Sequence, residues 1–205
     1  MPPAGRADRP TFWIFAGPNG SGKTSVYERA AFRELGGSVW IINPDRLAAR
    51  IRDVEALPLL DANLQAVRRI QVWLAASIDA HQTVGVETVL STPKYRDLVL
   101  AAKERHFEIC VIYILLRAVA LHIERVRLRV AKGGHDVPTD KIVARRRRSL
   151  EQLPWFLDAA DRAWLYDNSG TEPRLIGTKA DGTITLDPDA LDEIKQAVAK
   201  LVERP

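Results

Sequence analysis

GPNGSGKT, residues Gly17–Thr24, is the stretch from which this chain is best read. It fits G-x-x-x-x-G-K-[ST], the pattern of a phosphate-binding loop, and its surroundings agree. The apolar run TFWIFA, Thr11–Ala16, precedes it as a buried strand does. SVYERAAFREL, Ser25–Leu35, follows with helical spacing and ends at the stop signal Gly36-Gly37. Gly17, Gly20 and Gly22 let the backbone turn tightly, so that consecutive N–H groups and the start of a helix face an anion. Lys23 is then placed to reach the β- and γ-phosphates, and the Thr24 hydroxyl to ligate Mg²⁺. The predicted nucleotide site is Gly17, Pro18, Asn19, Gly20, Ser21, Gly22, Lys23, Thr24 and Ser25, with ATP or GTP as the triphosphate. The alternative is a glycine-rich turn that merely caps a helix.

The 205 residues are 46% hydrophobic and 27% charged, which suits one globular α/β domain with a full core. No apolar run approaches the ~20 residues that span a bilayer. MPPAGRADRP, residues 1–10, lacks the apolar core of a secretory signal and reads as a disordered lead-in. Cys110 is the one cysteine, inside the apolar run Ile109–Leu116, which excludes an internal disulfide and fits a core thiol in a reducing cytoplasm. No zinc-type cluster is present. The net charge of +4 is unevenly spread: Arg117–Arg148 holds eight Arg and two Lys against three acids, a net +7, so the remainder is slightly acidic.

Five strands are expected: Thr11–Ala16, Ser38–Asn43, Thr83–Glu87, Phe107–Leu116 and Arg162–Tyr166, with helical patterns that include Leu64–His81 and Pro93–Arg105 between them. Near-continuous apolar strands alternating with helices predict a mainly parallel sheet covered on both faces, a three-layer fold. After Gly170, Arg174–Thr178 and Thr183–Leu186 flank Ala180-Asp181-Gly182 as a hairpin would, and Asp187–Val202 reads as a terminal amphipathic helix. The whole is one domain, 1–205.

In such a sheet, ligands bind beyond the carboxyl ends of the strands. Asp45 stands at the end of the second strand, either as the N-cap of the next helix or as a general base for a hydroxyl attacking the γ-phosphate. Glu87 and Thr88 end the third strand. Glu87 suits a water-mediated contact to Mg²⁺, hydrogen bonds to substrate hydroxyls, or pairing with an arginine. Ser91 and Thr92 fit the start of a helix. His122, Arg125, Arg129 and Lys132 fall on one helical face, with Leu121, Leu128 and Ala131 opposite. Gly133-Gly134 ends that helix, and Thr139 or Asp140 begins a second one carrying Arg145–Arg148. These two basic helices, within 117–153, look like a lid over a triphosphate. Arginine suits the task through its planar fork and permanent charge. Successive helical residues turn by about 100°, so Arg145 and Arg148, three apart, are the pair chosen to face the site. The competing reading is a solvated basic face or nucleic-acid patch. Tyr166–Ser169 either lines a base pocket or packs beside it.

GPNGSGKTS (Gly17–Ser25), INPDRLA (Ile42–Ala48), ETVLS (Glu87–Ser91), RVAKGGHDVP (Arg129–Pro138), RRRRSL (Arg145–Leu150) and YDNS (Tyr166–Ser169) together resemble the zeta-toxin group of P-loop kinases, in its short stand-alone branch. The resemblance implies a P-loop NTPase fold with strand order 2-3-1-4-5. It also implies transfer of phosphate to a hydroxyl, with UDP-N-acetylglucosamine as acceptor and an antitoxin as possible partner. By position it implies Lys23 and Thr24 for nucleotide and metal, Asp45 as base and Glu87 for the amino-sugar hydroxyls. It implies Arg129 and Arg145 as the lid pair, with Arg125 or Arg148 able to take either place. The toxins commonly carry Glu-Gly-Thr where this chain has Glu87-Thr88-Val89.

These readings converge on a Mg²⁺- and ATP- or GTP-dependent small-molecule kinase of the cytoplasm. The alternatives are a kinase for a nucleotide, antibiotic or polynucleotide end, and a nucleic-acid-binding ATPase. No aromatic residues interleave the basic run, which argues against a single-strand platform.

Overall fold

Successive side chains of Thr11–Ala16, strand β1, enter two different cores: Phe12, Ile14 and Ala16 go to one, Trp13 and Phe15 to the other. A strand apolar on both faces is stable only between two covering layers, and β1 lies at the centre of such a sheet. The computed structural model describes residues 9–26 and 40–202. Parallel strands β2 (Trp40–Ile42), β3 (Val84–Thr88), β4 (Glu108–Leu115) and β5 (Arg162–Asp167) join β1 in the order β2-β3-β1-β4-β5.

Two antiparallel strands extend this sheet. β6 (Arg174–Ala180) pairs with β5, and β7 (Thr183–Leu186) pairs with β6. The sheet is therefore seven-stranded and mixed, a correction to the expected five: the terminal hairpin is its edge. β6 gives the open edge of β5 hydrogen-bonding partners. Asp181 at φ 48° and Gly182 at φ 78° form the two-residue turn, whose positive φ values match the twist of a hairpin.

The helices are α1 (Lys23–Val26), α2 (Pro44–Glu55), α3 (Leu59–Asp79), α4 (Arg96–Glu104), α5 (Val119–Ala131), α6 (Thr139–Ala159) and α7 (Asp192–Val202). Ile70, Leu74 and Ile78 of α3, Val99 of α4, Leu153 and Phe156 of α6 and Ile194 of α7 cover one face of the sheet. On the other face Trp13 stacks on Trp164 with ring centres 5.7 Å apart. Cys110 is buried there, and burial pushes its thiol up to about 12. The helix expected to run to Leu35 is seen as far as Val26; its remainder and Ser38-Val39 lie outside the described residues. Among the described residues, no helix is long and apolar enough to cross a membrane.

The segment read as a lid differs in two ways. α6 runs on to Ala159, so its second half belongs to the main core while Val126, Val137 and Ile142 make a small separate cluster that ties it to α5. α5 is also turned over relative to a simple amphipathic helix. His122 is fully buried, whereas Leu128 is 56% exposed. His122 donates to a carbonyl of the phosphate loop, Arg125 and Arg129 line the cleft along that loop, and Leu128 and Ala131 on the other side are exposed.

Candidate nucleotide and phosphoryl-transfer site

The phosphate loop leaves β1 at Ala16, and neighbouring elements pack against it closely enough to select glycine. A Cβ on Gly20, at φ 75°, would lie 2.5 Å from the His122 carbonyl. One on Gly22, at φ 84°, would collide with the Asn168 amide. That amide donates from Nδ2 to the Ser21 carbonyl at 2.8 Å, and His122 donates from Nδ1 to the Asn19 carbonyl at 2.8 Å. Burial drives the His122 imidazole down to about 4, so it is neutral and contributes shape rather than charge. Lys23 is buried, with Nζ donating to the Gly17 carbonyl at 2.8 Å and the Pro18 carbonyl at 3.2 Å. Burial pushes its ammonium below the usual lysine range. Glu87 and Asp45 pull it back, and Arg129 pushes it down again.

Glu87 occupies the centre of the mouth. Its Oε2 accepts from the Thr24 hydroxyl at 3.0 Å and from Asn43 Nδ2 at 2.9 Å, and its Oε1 lies 4.0 Å from Lys23 Nζ. Asn43 also caps α2, since its Oδ1 accepts from the N–H groups of Asp45 at 2.9 Å and Arg46 at 3.1 Å. The capping role weighed for Asp45 therefore belongs to Asn43, with Pro44 opening the helix behind it. Asp45 is left in the first turn with its side chain exposed. It lines a cleft of about 370 Å³ together with Arg52, Asn63 and His135. Thr88 is a different case from Glu87: its hydroxyl accepts from the Leu90 N–H at 3.0 Å inside a buried turn and is not offered to the cleft.

A larger cleft of about 570 Å³ runs along the loop, between Lys23, Thr24 and Glu87 on one side and Arg125, Arg129 and Asn168 on the other. Arg129 donates to the His135 carbonyl at 2.7 Å, and its Nε is buried with no partner. Arg125 sits further along, donating to the Asn168 carbonyl at 2.7 Å beside Gly170 and Thr171. That places it at the far end of the nucleotide cleft, whose lining does not include Asp45. The arginine run divides by helical angle. Arg145 reaches Asn19 Oδ1 at 3.4 Å. Arg146 is buried, donating to Glu193 at 2.8 Å and to the Leu116 carbonyl at 3.1 Å. Arg147 meets Glu151 at 3.7 Å in solvent. Arg148 is exposed and makes no hydrogen bond or ion pair among the described residues. Arg145, and not the Arg145–Arg148 pair, is what the structure brings to the loop.

Two participants were not singled out from the sequence. Asn43 had a legible signal, a capping residue immediately before a proline. Asn168 stands in Tyr166–Ser169, read as lining a base pocket or packing beside it; its amide binds the loop at Ser21 and it lines the nucleotide cleft. Among the described residues no group of three or more His, Cys, Asp or Glu could hold a metal ion. The oxygen donors of Thr24 and Glu87, adjacent to a phosphate site, fit Mg²⁺, which keeps few protein ligands beside phosphates.

The AAA domain family matches residues 12–153. An uncharacterized protein of Haemophilus influenzae is 28% identical over 127 residues, 62% of this chain and 86% of its own. Among solved structures, the AvrRxo1-ORF1:-ORF2 complex with ATP superposes with a TM-score of 0.70 at 13% identity, over 94% of this chain. This chain spans only 64% of the length of that one. The PezAT chromosomal toxin–antitoxin system of Streptococcus pneumoniae gives a TM-score of 0.64 at 14% identity, covering 100% of this chain and 92% of its own. The likeness to the zeta-toxin group read from the motifs thus holds at the level of the P-loop fold.

Proposed function

Because this chain belongs to the AAA domain family of P-loop proteins, we propose that it is a nucleotide-dependent kinase that moves the γ-phosphate of ATP or GTP to a hydroxyl group. One observation carries the reading: beside the cleft lined by Lys23, Thr24 and Glu87 lies a second one, sharing Gly134 with it and lined by Asp45, whose exposed side chain takes no part in capping its helix. A site for hydrolysis alone uses a carboxylate only to activate water and has no need of a second cleft. A kinase has both a donor cleft and an acceptor cleft, with a base between them.

On donor binding, Lys23 exchanges the Gly17 and Pro18 carbonyls for phosphate oxygens. Thr24 and Glu87 would hold Mg²⁺, which when bound neutralises charge on the β- and γ-phosphates. The acceptor oxygen attacks the γ-phosphorus, its proton passes to the Asp45 carboxylate, and the bond to the β–γ bridging oxygen breaks. The nucleoside diphosphate leaves with that electron pair. Arg129 and Arg145 offset charge on the transferring group. UDP-N-acetylglucosamine is the acceptor that the motifs suggest, and a protein partner is suggested by the paired PezAT and AvrRxo1 assemblies. The competing nucleic-acid reading loses support from the arginine run, whose Arg146 is buried against Glu193 and cannot track a phosphate backbone.

Asp45→Asn is expected to lower transfer about 10²-fold or more, the usual contribution of a positioned base, while ATP affinity stays near wild type. Incubation with Mg²⁺–ATP and a metabolite pool, read by mass spectrometry for added phosphate, measures both the acceptor and the loss. Undiminished transfer in the variant would sink the proposal.

A further inference from the structure

The chain leaves the sheet two residues before Asp45. The ladder of β2 with β3 pairs Trp40 with Val84, Ile41 with Gly85 and Ile42 with Val86, and then stops. Asn43 and Glu87 are the next residues in that register, and there a side-chain bond takes over from the backbone: Asn43 Nδ2 donates to Glu87 Oε2 at 2.9 Å. The other end of the same amide, Oδ1, accepts from the N–H groups of Asp45 at 2.9 Å and Arg46 at 3.1 Å. One planar group thus joins the carboxylate beside Thr24 and Lys23 to the turn that carries Asp45. α2 packs on α3 through Ala48, Ile51, Ala62 and Ala66, a cluster separate from the core over the sheet, and among the described residues Leu47 is the α2 side chain that touches both. Capping alone does not call for asparagine, since Asn, Asp and Ser cap helices about equally well. The bridge does: the amide carries an acceptor and a donor on two atoms facing two ways, whereas an ionised Asp offers no donor and Ser puts a single, nearer oxygen in place of both.

We propose that Asn43 is a positioning residue that registers the Asp45 turn against the donor site, so that occupancy of the nucleotide cleft is transmitted through Glu87 to the base. This rests on the kinase reading above, which makes Asp45 the base. With the donor bound, Glu87 is held in place, Glu87 holds the Asn43 amide, and the amide holds the two N–H groups that open α2. Residues that orient a site from behind in this way set its geometry without touching substrate. The stake is large, because a displacement of about 1 Å at a reacting group can cost about 10²-fold in rate.

The first test involves no phosphate transfer. Amide hydrogen exchange over Ile42–Ala48 is followed in the wild type, Asn43→Asp and Asn43→Ser, with and without Mg²⁺ and a non-hydrolysable ATP analogue. Both variants keep a capping oxygen, so their urea midpoints should match the wild type. In the wild type the analogue should slow exchange of the Asp45 and Arg46 N–H groups. In both variants it should bind with unchanged affinity, since the loop, Lys23 and Thr24 are untouched, yet leave that exchange as it was. The second test is turnover of Mg²⁺–ATP with the metabolite pool, read as nucleoside diphosphate formed. There kcat should fall about 10–100-fold in each variant, with KM for ATP unchanged. Asn43→Ser placed on Asp45→Asn should add no further loss, because both changes act on one group. Full slowing of exchange in Asn43→Ser would overturn the proposal, as would a wild type whose exchange ignores the analogue. So would additive losses in the double variant, or a drop in analogue affinity matching the drop in turnover, which would make Asn43 part of donor binding. Absence of transfer to any acceptor would end the kinase reading, while the exchange measurement would still decide whether Asn43 links the two sites.

Discussion

His122 shows how a single residue links the loop's shape to pH. It is buried, held against the Asn19 carbonyl, and its imidazole titrates at about 4 instead of 6.5. Between those values the unfolded chain binds the proton and the folded chain does not. Its contribution is therefore complete above about pH 6.5 and is lost progressively as pH falls towards 4. The urea midpoint at pH 5 should be lower than at pH 7.5. His122→Asn, whose amide can still donate to Asn19, should flatten that dependence; an unchanged slope would assign it to other groups. The sequence placed His122 correctly on the face of Arg125 and Arg129 but not its charge state, because burial is a property of the packed loop. Asp45 is the converse. Its position was legible from Asn43-Pro44-Asp45, yet its freedom from capping required knowing that Asn43 already holds both N–H groups.

At the scale of the element, α6 is keyed to the sheet at two points. Arg146 binds Glu193 of α7 and the Leu116 carbonyl, and Ser149 meets the Tyr113 hydroxyl at 3.0 Å in a fully buried contact. These fix the rotation of α6, and that rotation alone decides that Arg145 faces Asn19 while Arg147 and Arg148 face solvent. Arg145→Ala should lower transfer by about 10²–10³-fold, as for loss of one transition-state donor, with little change in stability. Arg148→Ala should leave stability within about 0.5 kcal/mol of wild type, as exposed substitutions do. Arg146→Met should do both kinds of harm, costing about 1–3 kcal/mol through the orphaned carbonyl and lowering transfer by letting Arg145 turn away. Chemical denaturation and turnover on the three variants give the pattern. A fully active Arg146→Met would show that α6 needs no such key. The four consecutive arginines announced a basic helix, but the sequence could not say which one the core would claim.

Across the molecule, the site is assembled from the carboxyl edge of nearly the whole parallel sheet: β1 leads to Lys23, β2 to Asp45, β3 to Glu87, and β5 to Asn168, with α5 and α6 closing over them. The five parallel strands were legible because each is apolar on both faces. The edge position of the hairpin was not, since a hairpin signal marks the turn and not the strand it pairs with. One consequence is that the donor site cannot form in a fragment of the fold, so nucleotide occupancy must report on global stability. Mg²⁺–ATP at about 100 times its dissociation constant should stabilise the chain by about 2.7 kcal/mol, a rise in melting temperature of about 5–10 °C for a domain of this size. Lys23→Met removes the ammonium that meets the phosphates and should abolish most of that rise. Its melting temperature without nucleotide should change less, because the lost bonds to Gly17 and Pro18 are partly offset by relief of a buried charge. Asp45→Asn should keep the full ATP-induced rise, since Asp45 does not line the nucleotide cleft and the proposed function gives its carboxylate to the acceptor. A scan of melting temperature against ATP concentration for the three proteins distinguishes these outcomes, and an ATP shift preserved in Lys23→Met would remove the phosphate loop from the donor role.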